Sequence, residues 1–247
     1  MKFVLYNIRY GTGGKMMYGG FLPYITGYLS GTSNHVKTIS DFLEEENPDV
    51  VGLIEVDLGS VRHKYKNQVD SFCNSLDCFN VSGIKYGDNS NFHKFPILRK
   101  QGNAFLYKDS LQNTNFHHFD EGTKTLIIEL ELEEVTFFLV HLALGSKTRL
   151  KQITQLYKLI KDSQKPVIIG GDFNLMLGEV EIKLFLEASG LINPNINQIP
   201  TFPSWKPSKH LDFVLHSPNI KVNDFRVPLI SLSDHLPLVL DFDVVKN

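Results

Sequence analysis

The segment Val167-Ile168-Ile169-Gly170-Gly171-Asp172-Phe173-Asn174 constrains this chain most, because an apolar run stops at two glycines and delivers a carboxylate and a carboxamide at its end. The run from Pro166 to Ile169 is β-branched and too short for a helix, so it reads as a buried strand; Gly170 and Gly171 permit a sharp exit and close approach of a neighbouring backbone. Asp172 and Asn174 then share one side of the exit. Fixed on a rigid strand end, such a pair can orient a water, accept its proton and donate a hydrogen bond to an anionic oxygen. The bland alternative is an Asx-turn, which Asp and Asn make routinely at strand ends.

Other strand-like runs repeat the arrangement. Phe3-Val4-Leu5-Tyr6 ends in Asn7, Val50 to Ile54 ends in Glu55, and Phe137 to Val140 ends in His141. Asp212 opens the run Phe213-Val214-Leu215, and Asp234-His235 stands at the start of Leu238-Val239-Leu240. A metal-type or proton-transfer residue at one terminus of every such strand is hard to attribute to packing, and strand ends along one rim of a sheet are where active sites assemble.

This ordered set, Asn7, Glu55, His141, Asp172 with Asn174, Asp212, and Asp234 with His235, resembles the endonuclease/exonuclease/phosphatase superfamily from residue 3 to about residue 242. Gly171-Asp172-Phe173-Asn174 and Ser233-Asp234-His235 are the specific pieces, whereas Asn7 or Glu55 alone would be weak. The resemblance implies an α/β fold, a four-layer sandwich of two mixed β-sheets flanked by helices, with the site at one edge of both sheets. It also implies a phosphodiesterase or endonuclease-like hydrolase that uses Mg²⁺, with Mn²⁺ as a substitute.

Phosphodiesters are anionic and resist attack, so the catalyst must neutralise charge, position a water and stabilise the leaving oxygen. Mg²⁺ takes oxygen ligands and keeps several waters, which suits few carboxylates rather than a cage. On the family pattern Glu55 is the first metal ligand, Asn7 assists through its amide oxygen, and Asp234 contributes to a second or shared position. Asp172 is the base or orienter of the attacking water and Asn174 holds a phosphate oxygen. His235 contacts the phosphate while Asp212 fixes its tautomer and favours its charged form. His141 is a second phosphate contact or the acid that protonates the leaving group; a histidine here resembles the deoxyribonuclease and sphingomyelinase versions of the family.

Two departures matter. Relatives acting on abasic DNA often carry a carboxylate where this chain has Arg9, a cation that can hold phosphate but not metal. The usual glutamine before the metal-binding glutamate is Ile54, which removes a supporting hydrogen bond. Asn103, before Phe105-Leu106-Tyr107, is a candidate to reach substrate.

A chain of 247 residues, 42% hydrophobic, without a Pro/Gly/Ser-rich linker, is expected to form a single domain over 1–247. No run approaches the length needed to cross a bilayer, and Asn7 lies close to Met1, so a cytoplasmic monomer without a secretory leader is the expectation. Cys73 and Cys78 lack two further ligands and read as free thiols. Ser33 or Asn34 can cap a helix with Val36, Ile39 and Leu43 inward and Pro48 beyond its end; Ser146 can cap another with Leu150, Ile153, Tyr157 and Ile160 inward. Residues 124–131 and 133–141 read as an antiparallel pair, and Leu184-Phe185-Leu186 as a short helix.

Several features read as structural. Gly11-Thr12-Gly13-Gly14-Lys15 lacks the spacing of a nucleotide-binding loop. His117-His118 has no acidic partner at ligand spacing and reads as a solvated hairpin edge, Asp57 as an exposed loop position, and Arg149 with Gln152 as helix-docking residues. The formal net charge of -2 argues against a strong nonspecific grip on a polyanion, although Lys64, Lys66, Lys94, Arg99 and Lys100 offer local basic patches. Residues 16–29 are unusually aromatic for a loop and read as a lid, a lipid-facing surface or a base-stacking surface. The expected partner is thus a phosphoester substrate, either nucleic acid or phospholipid headgroup. The alternatives are a lipid-directed phosphodiesterase of the sphingomyelinase type and a catalytically silent binding module of the same fold.

Overall fold

The computed structural model describes residues 1–13, 33–85 and 98–245, so the aromatic stretch 16–29 and Lys94 lie outside the described residues. Side-chain alternation builds its layers. In β1 (Lys2–Asn7), Phe3 and Leu5 enter one apolar cluster while Val4 and Tyr6 enter another, and all four are buried. A strand apolar on both faces belongs in a sheet covered on both sides.

The chain then runs through α1 (Ser33–Glu46), β2 (Val50–Asp57), α2 (Gln68–Leu76), β3 (Phe79–Ile84), β4 (Gln101–Tyr107), β5 (Asn113–His118), β6 (Leu126–Glu131) and β7 (Thr136–His141). It continues through α3 (Ser146–Ile160), β8 (Val167–Asp172), α4 (Lys183–Ser189), β9 (Asp212–His216), β10 (Ile220–Arg226) and β11 (Leu238–Val244). One sheet has the order β10-β11-β1-β2-β4-β3 and the other β5-β6-β7-β8-β9. Each is mixed, with β1 parallel to β2 and β7 parallel to β8 among antiparallel pairs.

Phe3, Leu5, Phe105, Phe137, Leu139, Ile168 and Phe242 fill the space between the sheets. Ile39 and Leu43 of α1 and Phe72 of α2 cover the outer face of the first sheet; Ile153 and Leu156 of α3 and Phe185 of α4 cover that of the second. The expected four-layer α/β sandwich of two mixed sheets flanked by helices is therefore what forms. The sheets approach so closely that a Cβ on Gly170 would lie 2.9 Å from Phe3 Cζ.

Three local expectations need correction. The N-cap of α3 is Gly145 with no side-chain cap, so Ser146 is already inside the helix. Leu150 is exposed, because Arg149 and Gln152 take its place on the buried stripe beside Ile153, Leu156 and Ile160. Both polar residues do dock the helix: Arg149 Nη1 donates to the Ala143 and Leu144 carbonyls, and Gln152 bridges Ala143 N with the Glu121 and Lys124 carbonyls. His117, on an edge strand as expected, does have an acidic partner across the strands, Glu129 at 2.6 Å. Among the described residues, no helix is long and apolar enough to cross a membrane, and Cys73 and Cys78 are free thiols with their sulfurs 3.2 Å apart.

Candidate active site

Strand register gathers the polar strand ends. β1 and β2 are parallel, so Asn7 and Glu55 finish at one rim. His141 at the end of β7 stands beside Asp172 at the end of β8, and antiparallel β9 sets Asp212 opposite Asp172. β11 is antiparallel to β1 with Leu238 opposite Leu5, which returns the preceding turn, Asp234-His235, to the same rim. That pair therefore sits in a turn three residues ahead of β11 rather than on its first residue.

The two sheets meet chemically at Asp172. Its Oδ2 accepts from Asn7 Nδ2 at 3.1 Å, lies 3.2 Å from His141 Nε2 and 3.9 Å from His235 Nε2, while Oδ1 accepts the Asn174 backbone N–H at 3.1 Å. Asn174 is buried, and its amide donates to the Leu142 carbonyl at 2.9 Å. Asp212 Oδ2 accepts from His235 Nδ1 at 2.7 Å and from Thr201 Oγ1 at 2.5 Å. Arg9 Nε lies 3.4 Å from Asp234 Oδ2, so this cation faces a carboxylate of the site.

Glu55 depends on a backbone irregularity. The pairing of β2 with β4 slips between Leu53 and Val56, and Glu55 at the slip has φ 58°, the kind of bulge that re-aims a side chain. Asn103 Oδ1 accepts the Glu55 N–H at 3.2 Å, supplying support that the buried Ile54 cannot. Arg9, Tyr10 and Asn174 also have positive φ. Left-handed non-glycine residues cost about 1–3 kcal/mol each and persist where the surroundings over-determine them, as they do at functional sites.

Two lysines and a threonine join the site without a motif to announce them. Lys85 Nζ, buried at the end of β3, lies 3.3 Å from Glu55 Oε1 and donates to Tyr10 Oη. Lys124, two residues before β6, places Nζ on His141 Nε2. Thr201 anchors Asp212. The only signal available for the lysines was their position next to strand ends, the same that marked the acids. Asp57 moves the other way: it is fully buried, accepting from the Gly59 and Ser60 N–H groups and from Ser60 Oγ, so it holds a turn instead of standing exposed.

Electrostatics divide the two imidazoles. Burial would lower the His235 pKa, but Asp212 first, then Asp172 and Asp234, lift it to about 10. Burial, followed by the Lys124 ammonium, lowers His141 to about 4 against the opposing pull of Asp172 and Glu55. Burial opposes ionisation of Glu55, yet Lys85, His141 and Lys124 bring it down to about 2. Asp172 is likewise held well below the usual carboxylate range, His141 and His235 outweighing its burial. The site thus sets a charged histidine and a neutral one around ionised Glu55 and Asp172, while burial pushes Asp212 and Asp234 up.

Two groups of side chains have the chemistry to hold a cation. Asp172, Asp212 and His235 offer ligand atoms within 4.8 Å of one another, although Asp212 Oδ2 and His235 Nδ1 are engaged with each other at 2.7 Å. Glu55, Asn7 and Asp234 offer oxygen alone, the donor type Mg²⁺ takes. Glu55 Oε2 has no protein partner among the described residues, and the Glu55 and Asp234 side chains stay 14% and 11% exposed. Three buried polar atoms at the rim also lack a hydrogen-bond partner: His141 Nδ1, Asn103 Nδ2 and Asp212 Oδ1.

Residues 4–235 match the sequence model of the endonuclease/exonuclease/phosphatase family. No curated protein matches the sequence significantly. Among solved structures, an endonuclease/exonuclease/phosphatase from Beutenbergia cavernae aligns with TM-score 0.77 at 16% identity, covering 99% of this chain and 71% of that one. A mannosyl-6-phosphatase from Bacteroides thetaiotaomicron aligns at 0.70 and 16%, covering 98% and 99%. The human Nocturnin catalytic domain with bound sulfate aligns at 0.71 and 18%, covering 99% and 93%. At these identities the structural likeness speaks for the fold.

Proposed function

Because the chain belongs to the endonuclease/exonuclease/phosphatase family, we propose that it hydrolyses a phosphoester by in-line attack of a water, with a divalent cation held by Glu55, assisted by Asn7 and Asp234. The observation that carries this reading is the convergence on Asp172 Oδ2 of Asn7 from one sheet and of His141 and His235 from the other. An ionised, buried carboxylate so constrained can orient a water and take its proton. His235, charged through Asp212, is a donor for a non-bridging phosphate oxygen, and the neutral His141 suits a phosphate contact better than a general acid at neutral pH. Asn174 stiffens the Asp172 exit through Leu142 while its second amide hydrogen serves a phosphate oxygen.

When bound, the cation supplies charge neutralisation at the phosphate. Mg²⁺ is the proposed occupant, since every donor of the Glu55 group is a hard oxygen; Mn²⁺ would substitute. The silent-module alternative is disfavoured by the presence of all the acid, base and anion-contact residues together. Glu55→Gln should leave the melting temperature within a few degrees and weaken Mg²⁺ or Mn²⁺ binding by calorimetry ~10- to 100-fold or more, since even outer partners of a metal site cost that much. Unchanged metal affinity and turnover in that variant would remove Glu55 from the role. A panel of DNA, RNA, sphingomyelin, phosphoinositides and phosphomonoesters under one metal condition reads which compound carries the phosphoester.

A further inference from the structure

Lys124 is the residue whose environment asks for a ligand. Its side chain is partly buried, and among the described residues no carboxylate oxygen lies within 4.0 Å of Nζ; its hydrogen-bond partner is the uncharged acceptor His141 Nε2. The Glu55 and Asp172 carboxylates attract Lys124 only from beyond ion-pair distance, and a cation brought into a protein wall without a close ion pair is expensive unless a further anion completes its surroundings. Two buried groups of the same rim also have no acceptor, His141 Nδ1 on the ring that Lys124 touches and Asn103 Nδ2 on the side chain that holds the Glu55 N–H. Lys85 brings a second ammonium to this side of the site, and the two segments are fixed to each other where Thr125 N–H donates to the Lys85 carbonyl at 3.2 Å. Cations and unmet donors therefore gather along one wall around Glu55 and His141, with Asn103 on the Glu55 N–H, Lys85 on Glu55 Oε1 and Lys124 on His141 Nε2.

We propose that Lys124, with Lys85 beside it, is a specificity-determining residue that makes this site select a terminal phosphomonoester over a diester. Resting on the reading of the chain as a phosphoester hydrolase, this names its substrate class. A diester carries one negative charge and two substituted oxygens, whereas a monoester above a second pKa of about 6 carries two charges and presents three unsubstituted oxygens. The third oxygen and second charge are what a wall of ammonium groups and unmet donors can hold and a diester cannot offer; specificity is that difference in affinity. In the reaction Asp172 takes a proton from the water as its oxygen bonds to phosphorus, the phosphorus–oxygen bond to the alcohol breaks, the alcohol oxygen takes a proton from solvent while Asp172 returns its own to solvent, and inorganic phosphate remains for Lys124 to release.

The test uses the full chain with Mg²⁺ or Mn²⁺ at pH 8, comparing p-nitrophenyl phosphate with bis(p-nitrophenyl) phosphate, and titrates inorganic phosphate by calorimetry. The wild type should favour the monoester in kcat/KM. Lys124→Gln should lower monoester kcat/KM by about 10- to 100-fold more than diester kcat/KM, chiefly through KM, and weaken phosphate binding by a similar factor, the usual span of a charged hydrogen bond. Lys124→Arg should restore most of the phosphate affinity. A wild-type preference for the diester, or phosphate binding indifferent to Lys124, would overturn the assignment, and the first of these needs no variant to fold. Absence of turnover on both esters with phosphate still bound through Lys124 would instead count against the hydrolase reading and leave this wall standing as an anion site.

Discussion

At His235 one carboxylate sets the charge of the ring. Asp212 Oδ2 holds Nδ1 at 2.7 Å and is itself pinned by Thr201, so the imidazolium has a fixed partner on one edge and Asp172 on the other. With its pKa raised to about 10, the ring stays protonated at neutral pH. Asp212→Asn should bring that pKa down by at least one unit by histidine NMR titration and reduce turnover; a ring that titrates unchanged would refute the pairing. Because the folded pKa lies above the ordinary value of about 6.5, this ionisation favours the folded state fully below that pH and loses its contribution as pH rises through about 10. Chemical denaturation of the wild type should accordingly show stability from this source declining on the alkaline side, and Asp212→Asn should flatten that decline. The acids, amides and histidines of the site were legible because they interrupt apolar runs. Lys85 and Lys124 were not, since lysine beside a strand is ordinarily a solvated residue and only the fold shows these two turned inward.

Elements position these residues through a few close approaches. A Cβ on Gly171 would lie 2.4 Å from the Val140 carbonyl oxygen, between the two strands that carry His141 and Asp172. Gly171→Ala should cost about 1–3 kcal/mol from overpacking and lower activity with it, whereas wild-type melting and turnover would show that the strands can part without consequence. The face of α3 gives a sharper check on packing. Leu156→Ala should cost about 2–5 kcal/mol as a buried truncation, while Leu150→Ser should stay within about 0.5 kcal/mol; equal losses would contradict the observed helix face. Strands such as β1, β7 and β8 were readable because both faces are apolar. The rotation of α3 was not, because hydropathy places leucine inward and cannot foresee that Arg149 finds Glu181 and two carbonyls inside the fold. The Glu55 bulge escaped for a similar reason: a positive φ at a glutamate follows from the register with β4 and from Asn103, neither of which is local in sequence.

Across the whole molecule, the site exists because two sheets share one rim. The first and last strands are neighbours, β1 against β11, so residues near opposite ends of the chain meet, and the Asn7–Asp172 hydrogen bond then joins the sheets where the phosphate is proposed to sit. Strand order of this kind cannot be read from a list of apolar runs; the family resemblance implied the two-sheet sandwich, which the structure bears out, while the order of the strands within each sheet is visible only in the fold. The most direct measurement of the central claim is p-nitrophenol release from p-nitrophenyl phosphate and bis(p-nitrophenyl) phosphate by metal-stripped protein, before and after addition of Mg²⁺ or Mn²⁺. Hydrolysis of at least one ester that is absent in chelator, returns with the cation and is lost in Glu55→Gln is the expected result. Hydrolysis that persists in the stripped protein, or none with either cation, would contradict it.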